Sequence, residues 1–285
     1  MTTSLLITPQ QLQTALSNGS KVVVFDCSYE LSDASAGKKA YLDEHIPGAL
    51  FADIGEALSS HGGESASGGR HPLPTREAFA QWLSARGVAN DALVVVYDRH
   101  RGNFCVRLWW MLQWLGHDQV AVLDGGLQGW KAAGAALASG EEPARAAMPF
   151  EVRPALVRLV SADEVQARLG DAGRVLIDAR GADRFRGDHE PMDAIAGHIP
   201  GAINRPFSQN LRADGTFKPA EELRAEFEAL LPDGRTEIVN YCGSGVSATP
   251  NIFALRLAGL GDSGLYAGSW SDWSRRPGAP VATGA

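Results

Sequence analysis

Short apolar runs alternate along the chain with longer segments whose apolar residues recur at helical spacing. The runs in KVVVFD, ALVVVYD, RVLID and TEIVNYC are typical of buried strands, and segments 74–87 and 219–232 read as amphipathic helices. Strands that alternate with helices predict a parallel sheet covered by helices on both faces. Functional side chains in such a sheet are expected beyond the carboxyl ends of the strands.

The second half of the sequence repeats the first. Segment 8–30 resembles segment 161–183, since each opens with a capping-box pattern, continues as a short helix and ends in a β-branched run. The pentapeptide HIPGA occurs once in each half, and it brings His45 and His198 to equivalent positions. Because only one half carries a candidate nucleophile, these two histidines are expected to be structural.

The repeat predicts two domains with one α/β fold, each a parallel sheet flanked by helices on both faces. We expect them at residues 1–137 and 159–285, joined by a linker at 138–158 that is rich in Ala, Pro and charge. A length of 285 residues suits two domains. At equivalent positions after a strand, the first domain carries Asp98 and the second Cys242. We therefore expect only the second domain to be catalytic.

Composition and charge narrow the range of functions. The net charge of -7 argues against a nucleic-acid partner, and no apolar run is long enough to span a bilayer. The first residues lack the basic and apolar regions of a signal peptide, so we expect a cytoplasmic location. Three widely spaced cysteines without a CxxC argue against a disulfide framework and a metal site. Cys27 and Cys105 are expected to be buried core residues.

The segment CGSGVSATP after the last long strand predicts a site for an anionic sulfur. Gly243 and Gly245 allow successive N–H groups to point inward, and Ser244 and Ser247 add hydroxyl donors. These dipoles favour a Cys242 thiolate or persulfide over the neutral thiol. The polar loop at 59–69 is expected to be exposed.

A helix should begin near Val246, and Pro250 fits only in its first turn. A cysteine phosphatase would use a similar strand, loop and helix, but it needs an arginine six residues after the cysteine. Here that position is Ala248, which disfavours a phosphatase. An inert cysteine in a tight glycine turn is the remaining structural alternative.

The tandem organisation, both HIPGA segments and CGSGVSA resemble two-domain rhodanese-type sulfurtransferases over essentially the whole chain. The loop is most similar to the 3-mercaptopyruvate sulfurtransferases, whose pattern is Cys-Gly-Ser-Gly-Val-Thr, with Ser247 in place of the threonine. Thiosulfate-specific relatives usually carry two basic residues after the cysteine. The resemblance implies that Cys242 is the nucleophile and that Gly243, Gly245, Val246 and Ser247 bind substrate.

The resemblance also implies roles outside the loop. Arg184 in RFRG corresponds to an arginine that binds the substrate carboxylate, and His71 in RHPLP to a histidine that assists a serine at the position of Ser244. Two positions depart from the family pattern. Met192 stands where a second arginine is common, and Gly55 where the acidic partner of the histidine is usual.

The function implied is sulfur transfer from a small anionic donor, through a Cys242 persulfide, to a thiol, thioredoxin or cyanide, with no cofactor or metal. Because the loop carries no basic residue, 3-mercaptopyruvate is expected to be a better donor than dianionic thiosulfate, which remains the alternative. A non-catalytic sulfur-binding or regulatory module is the alternative of another class. We expect no nucleic-acid or membrane partner.

Overall fold

The computed structural model describes residues 4–235 and 237–284, and the chain forms two compact units. The first unit contains the described residues up to Glu64, then Pro74–Leu156 and Arg212–Phe217. The second contains Ser65–Leu73, Val157–Leu211 and the described residues from Lys218 onwards. A short segment of each repeat is thus grouped with the unit built mainly by the other repeat.

The first unit is a parallel five-stranded sheet with helices between the strands. Its strands are β1 (Leu6–Ile7), β2 (Val22–Asp26), β3 (Leu50–Phe51), β4 (Leu93–Tyr97) and β5 (Val120–Leu123). Its helices are α1 (Pro9–Ser17), α2 (Ala36–Asp43), α3 (Arg76–Ala85), α4 (Cys105–Trp114) and α5 (Gly126–Ala132). The strand order is β1-β5-β4-β2-β3, with every pair parallel.

The second unit repeats this arrangement. Its strands are β6 (Arg158–Leu159), β7 (Arg174–Asp178), β8 (Ile203–Asn204), β9 (Glu237–Tyr241) and β10 (Gly264–Leu265). Its helices are α6 (Ala162–Ala167), α7 (Ala182–Arg186), α8 (Ala220–Leu230), α9 (Thr249–Leu257) and α10 (Ser269–Trp273), with a 3₁₀ helix at Phe207–Asn210. The order β6-β10-β9-β7-β8 matches the first sheet, which confirms the repeat. Across both described ranges, no helix is long and apolar enough to cross a membrane.

Both faces of the second sheet are buried. Successive residues of β7 point to opposite sides, as the pleat of a strand requires. Leu176 packs in one apolar cluster with Trp270 of α10, whereas Val175 and Ile177 pack in another with Phe227 of α8. The prediction of a parallel sheet covered on both faces is therefore confirmed.

The predicted helix starts follow from local capping. The Thr8 hydroxyl accepts the N–H of Gln11 at 3.2 Å, and the Gln11 amide oxygen accepts the N–H of Thr8 at 2.8 Å. Ser161 likewise accepts the N–H of Glu164 at 3.2 Å. The Glu164 carboxylate, however, pairs with Arg158, so the second cap is made by the serine.

The middle strand of each sheet ends directly before the residue at which the candidate site of the second repeat differs from the first. Asp98 directly follows β4 and Cys242 directly follows β9. The last residue of each strand is a buried tyrosine, Tyr97 or Tyr241, whose hydroxyl accepts the N–H of the isoleucine in HIPGA at 3.1 or 3.2 Å. The two pentapeptides thus fix the ends of the two central strands in the same way.

The histidines of HIPGA make equivalent structural contacts. His45 bonds through Nδ1 to the carbonyl oxygen of Tyr41 at 2.8 Å and stacks on its ring at 4.2 Å between centroids. His198 does the same with Phe185, at 2.8 Å and 3.8 Å. Both residues help to position the chain that enters the next strand.

Candidate active site

The backbone around Cys242 is held by a turn that packs against it. Cys242 is 2% exposed; its N–H donates to Ser269 Oγ at 3.0 Å, and its carbonyl oxygen accepts the N–H of Trp270 at 2.9 Å. Gly245 adopts a φ of 76°, and a β-carbon there would lie 2.2 Å from the carbonyl oxygen of Ala267. Only glycine therefore fits at this bend.

The helix after the loop begins later than the sequence predicts. Helix α9 starts at Thr249, three residues beyond the expected start near Val246, whereas Pro250 lies in the first turn as predicted. The difference arises because the Val246 carbonyl accepts both the N–H and the hydroxyl of Thr249, at 3.1 and 2.8 Å, in a separate turn. Val246 is buried and Ser247 is half-buried in this turn.

A buried histidine meets the loop serine. His71 Nδ1 lies 2.8 Å from Ser244 Oγ, and both residues are buried in the second unit. The preceding residue is fixed to the same unit, because the Arg70 N–H donates to Ser271 Oγ at 3.0 Å. A hydroxyl bonded to an imidazole can pass a proton to a reacting group beside Cys242.

Two arginines flank the residue that follows the cysteine. If Gly243 carried a β-carbon, Nη1 and Nη2 of Arg184 and Nη2 of Arg70 would each lie 3.5 Å from it. Arg184 bonds to the Glu190 carboxylate at 2.7 to 3.1 Å. Arg70 bonds to Asp193 at 2.8 Å. The edge of the loop therefore faces two guanidinium groups, each bonded to a carboxylate.

The carboxylates that hold the arginines are buried behind them. The side chains of Glu190 and Asp193 are 2% and 1% exposed. Burial raises the pKa of Glu190, but hydrogen bonds from Arg184 and from the N–H of Met192 more than offset this effect, so the pKa lies below its ordinary value. Glu190 is thus an anion that orients Arg184. The Met192 side chain itself is 39% exposed.

The equivalent loop of the first unit encloses an anion of its own. Asp98 is fully buried, and its Oδ1 accepts the N–H groups of His100 and Gly102 at 2.8 and 2.9 Å. Its Oδ2 accepts those of Phe104 and Cys105 at 2.8 and 2.9 Å. The loop after the central strand of this fold can therefore direct four backbone donors at one negative group.

A sequence profile of the rhodanese-like domain matches residues 8–133 and 161–276, one match in each repeat. The chain belongs to the rhodanese family. It is 48% identical over 287 residues to a probable 3-mercaptopyruvate sulfurtransferase of Pseudomonas aeruginosa, covering 100% of both chains. It is 36% identical to a thiosulfate sulfurtransferase of Bos taurus, covering 91% of this chain and 86% of that one.

A solved structure of another rhodanese-family protein has the same fold. The 3-mercaptopyruvate sulfurtransferase of Leishmania major superposes with a TM-score of 0.81 at 35% identity. The match covers 97% of this chain and 76% of the Leishmania chain. The family thus contains similar proteins named for both sulfur donors considered from the sequence.

The other two cysteines of this rhodanese chain are unsuited to nucleophilic chemistry. Both are buried, as predicted. Burial, and next the charge of Asp26, raises the pKa of Cys27 well above its ordinary value. Burial, and next the charge of Asp98, does the same for the pKa of Cys105. These thiols stay protonated near neutral pH, and a protonated thiol is a poor nucleophile.

The structure adds site residues that the sequence analysis missed. The loop itself carries no basic residue, but Arg70 joins the predicted Arg184 beside it, so two guanidinium groups bring positive charge to the loop. Ser269 was also missed. It holds a φ of 56°, uncommon for a non-glycine residue, and its hydroxyl accepts the Cys242 N–H. A serine where the first repeat reads glycine was the available signal.

Proposed function

We propose that this protein is a sulfurtransferase that carries sulfur as a persulfide on Cys242. The donor is 3-mercaptopyruvate, and the acceptor is a thiol, reduced thioredoxin or cyanide. The observation that carries the proposal is the Asp98 loop, in which four N–H groups surround one anion. At the equivalent place after the central strand, the second unit carries Cys242.

The equivalence predicts which amides of the second loop face that sulfur. In the first unit, three of the donors are residues two, four and six positions after Asp98. The same spacing after Cys242 gives the amides of Ser244, Val246 and Ala248. Amides directed at the sulfur would stabilise a thiolate before the reaction and a persulfide after it, without a metal or a cofactor.

The first half-reaction transfers the sulfur atom of 3-mercaptopyruvate. The Cys242 thiolate attacks that sulfur, an S–S bond forms, and the C–S bond breaks with its electron pair passing to the pyruvate enolate. The enolate then takes a proton, for which the Ser244 and His71 pair provides a route. Arg184 binds the carboxylate of the donor.

The second half-reaction regenerates the enzyme. An acceptor thiolate attacks the outer sulfur of the persulfide, and Cys242 leaves as a thiolate. All three cysteines are unpaired, which suits the reducing conditions of the cytoplasm, the location we propose.

Thiosulfate is the second candidate donor, and one observation favours it. Two guanidinium groups beside Gly243 could pair with both negative charges of this dianion. The absence of basic residues within CGSGVS and its similarity to the 3-mercaptopyruvate pattern favour the other donor. We therefore expect a higher kcat/KM for 3-mercaptopyruvate.

The proposal is tested by incubating the protein with 3-mercaptopyruvate and no acceptor. Mass spectrometry should find one added sulfur atom on the peptide that holds Cys242, removable by dithiothreitol. Cys242→Ser should abolish turnover, whereas Cys27→Ala, at a buried site remote from the loop in sequence, should retain it. Turnover in Cys242→Ser, or sulfur on another cysteine, would contradict the mechanism. A higher kcat/KM for thiosulfate would make thiosulfate the preferred donor and 3-mercaptopyruvate the second candidate.

A further inference from the structure

Arg70 is held in place by a segment built for close packing. A β-carbon on Gly68 would lie 2.4 Å from Asp272 Oδ1, and one on Gly69 would lie 2.4 Å from the carbonyl oxygen of Gly268. Only glycines allow the backbone to approach the turn this closely, and Gly69 also has a φ of 89°. Residues 61–65 are exposed as expected for the 59–69 loop, whereas Gly69 packs against the turn, and the Arg70 N–H bonds to Ser271.

Part of the Arg70 guanidinium is not engaged by the described residues. Nη1 bonds to Asp193, whereas Nε is buried and bonds to no acceptor among the described residues. Nη2 lies 3.5 Å from the β-carbon position of Gly243, as does Nη1 of Arg184. The Arg70 side chain is 24% exposed and that of Arg184 22%, so a small solute can reach both. Two guanidinium edges from separate segments converge on one place beside Cys242.

We propose that Arg70 is a second ligand for the donor's carboxylate, acting with Arg184. This inference rests on the proposed function. Met192 stands where a second arginine is common in related proteins, and its exposed side chain offers no charge. Arg70, which lies in the first repeat of the sequence, supplies a second cation in place of an arginine at position 192. One carboxylate oxygen binds each guanidinium, which fixes the donor with its sulfur towards Cys242.

The arrangement explains why an arginine is needed at this position. The planar fork of arginine presents several N–H groups, so it can bond Asp193 with one nitrogen and a substrate oxygen with another. Lysine carries its three N–H donors on one nitrogen, so a lysine that stays on Asp193 does not extend to the place that Nη2 occupies beside Gly243. Arg70→Lys should therefore keep the buried Asp193 paired and the protein folded while it loses the second carboxylate contact.

The direct test compares a charged and a neutral reagent at the same sulfur. Iodoacetate carries a carboxylate and iodoacetamide does not, so the ratio of their rates at Cys242 reports anion binding independently of sulfur transfer. Peptide mass spectrometry assigns the modified cysteine. In Arg70→Met and Arg70→Lys, the ratio should fall about tenfold or more, the typical loss for a charge-assisted hydrogen bond. Arg275→Met is the matched control, because Arg275 also lies 4.0 Å from Asp193 but is 67% exposed.

Steady-state kinetics provide the second readout. Arg70→Lys should raise the KM for 3-mercaptopyruvate and the inhibition constant of pyruvate by about tenfold, with a smaller effect on kcat, because substrate and product share the carboxylate. Arg275→Met should change neither. A residue that only held the loop in shape would lower the reactivity of Cys242 towards both alkylating reagents equally.

The outcomes separate this inference from the proposed function. An unchanged reagent ratio in both Arg70 variants would overturn the inference even if wild type uses 3-mercaptopyruvate. A reduced ratio together with no turnover of 3-mercaptopyruvate would retain the anion site and reject the proposed donor. If Arg70→Met does not fold, because Asp193 is left buried and unpaired, Arg70→Lys decides the question.

Discussion

Removing the carboxylate from the Asp98 loop should destabilise the first unit strongly. Four N–H groups donate to this one side chain at 2.8 to 2.9 Å, and Asp98 is fully buried. A hydrogen bond to a charged group contributes about 1.5–3 kcal/mol, and the four share one side chain and are not additive. We expect Asp98→Ala to cost about 4–6 kcal/mol, a large part of the stability of a typical domain.

Asp98→Asn should give a smaller loss. Asparagine keeps one acceptor oxygen but turns an NH₂ group towards two of the four backbone donors, so we expect a cost of about 2–4 kcal/mol. Asp43→Asn is the control. Asp43 is exposed at the end of α2, and a surface change of this kind should stay within about 0.5 kcal/mol.

The assay is hydrogen exchange followed by mass spectrometry, together with urea unfolding. A chain of two units need not unfold in one step, so the exchange of peptides that contain residues 100–105 reports the first unit directly. These amides should be protected in wild type and in Asp43→Asn, and lose protection in both Asp98 variants. If Asp98→Ala costs less than about 1 kcal/mol and the amides stay protected, the loop does not depend on an internal anion. Stabilisation of the Cys242 sulfur by the equivalent amides would then be unsupported.

Two further predictions concern the second unit. Replacing Ser269 removes the acceptor of the Cys242 N–H, so both Ser269→Gly and Ser269→Ala should lower turnover. The two variants should differ in stability, because glycine adopts the φ of 56° without the steric cost of about 1–2 kcal/mol that alanine retains. Urea unfolding should thus find the glycine variant more stable than the alanine variant, and equal stabilities would contradict this account. Because the pKa of Glu190 is below its ordinary 4.5 in the folded state, its ion pair with Arg184 stabilises the fold above about pH 4.5 and is lost as the pH falls through the lowered pKa. The difference in unfolding free energy between wild type and Glu190→Gln should therefore shrink on acidification, and a difference that grows would refute the assignment.

Local patterns in the sequence predicted most of the fold. Alternating strands and helices, capping residues at Thr8 and Ser161 and the doubled HIPGA segment all carry their information within a few neighbouring residues. The same holds for Cys242, because a cysteine between a strand and a glycine-rich loop is recognisable by itself. The start of α9 was predicted three residues too early. Periodicity does not reveal that the N–H and the hydroxyl of Thr249 both donate to the Val246 carbonyl in a separate turn.

The charge of the candidate site could not be predicted from the loop. Arg70 follows two glycines in a polar stretch, which is the usual composition of an exposed loop. Its role depends on the packing of those glycines against Gly268 and Asp272, far along the chain. The absence of basic residues in CGSGVS does not determine the charge of the site, because the positive charge comes from the segments that carry Arg70 and Arg184. Binding sites assembled from distant segments are visible only once the chain is folded.

The two repeats explain why one loop would be catalytic and the other not. In the first unit, the side chain after the central strand accepts four backbone N–H groups of its own loop, and these four donors are therefore already in use. In the second unit, cysteine places a single sulfur at this point, and a sulfur can bond to a second sulfur without displacing the backbone around it. We expect the aspartate to stabilise its loop and to leave it without catalytic activity. On the proposed mechanism, a thiolate in place of the internal carboxylate turns a structural anion site into one that can transfer a sulfur atom to another molecule.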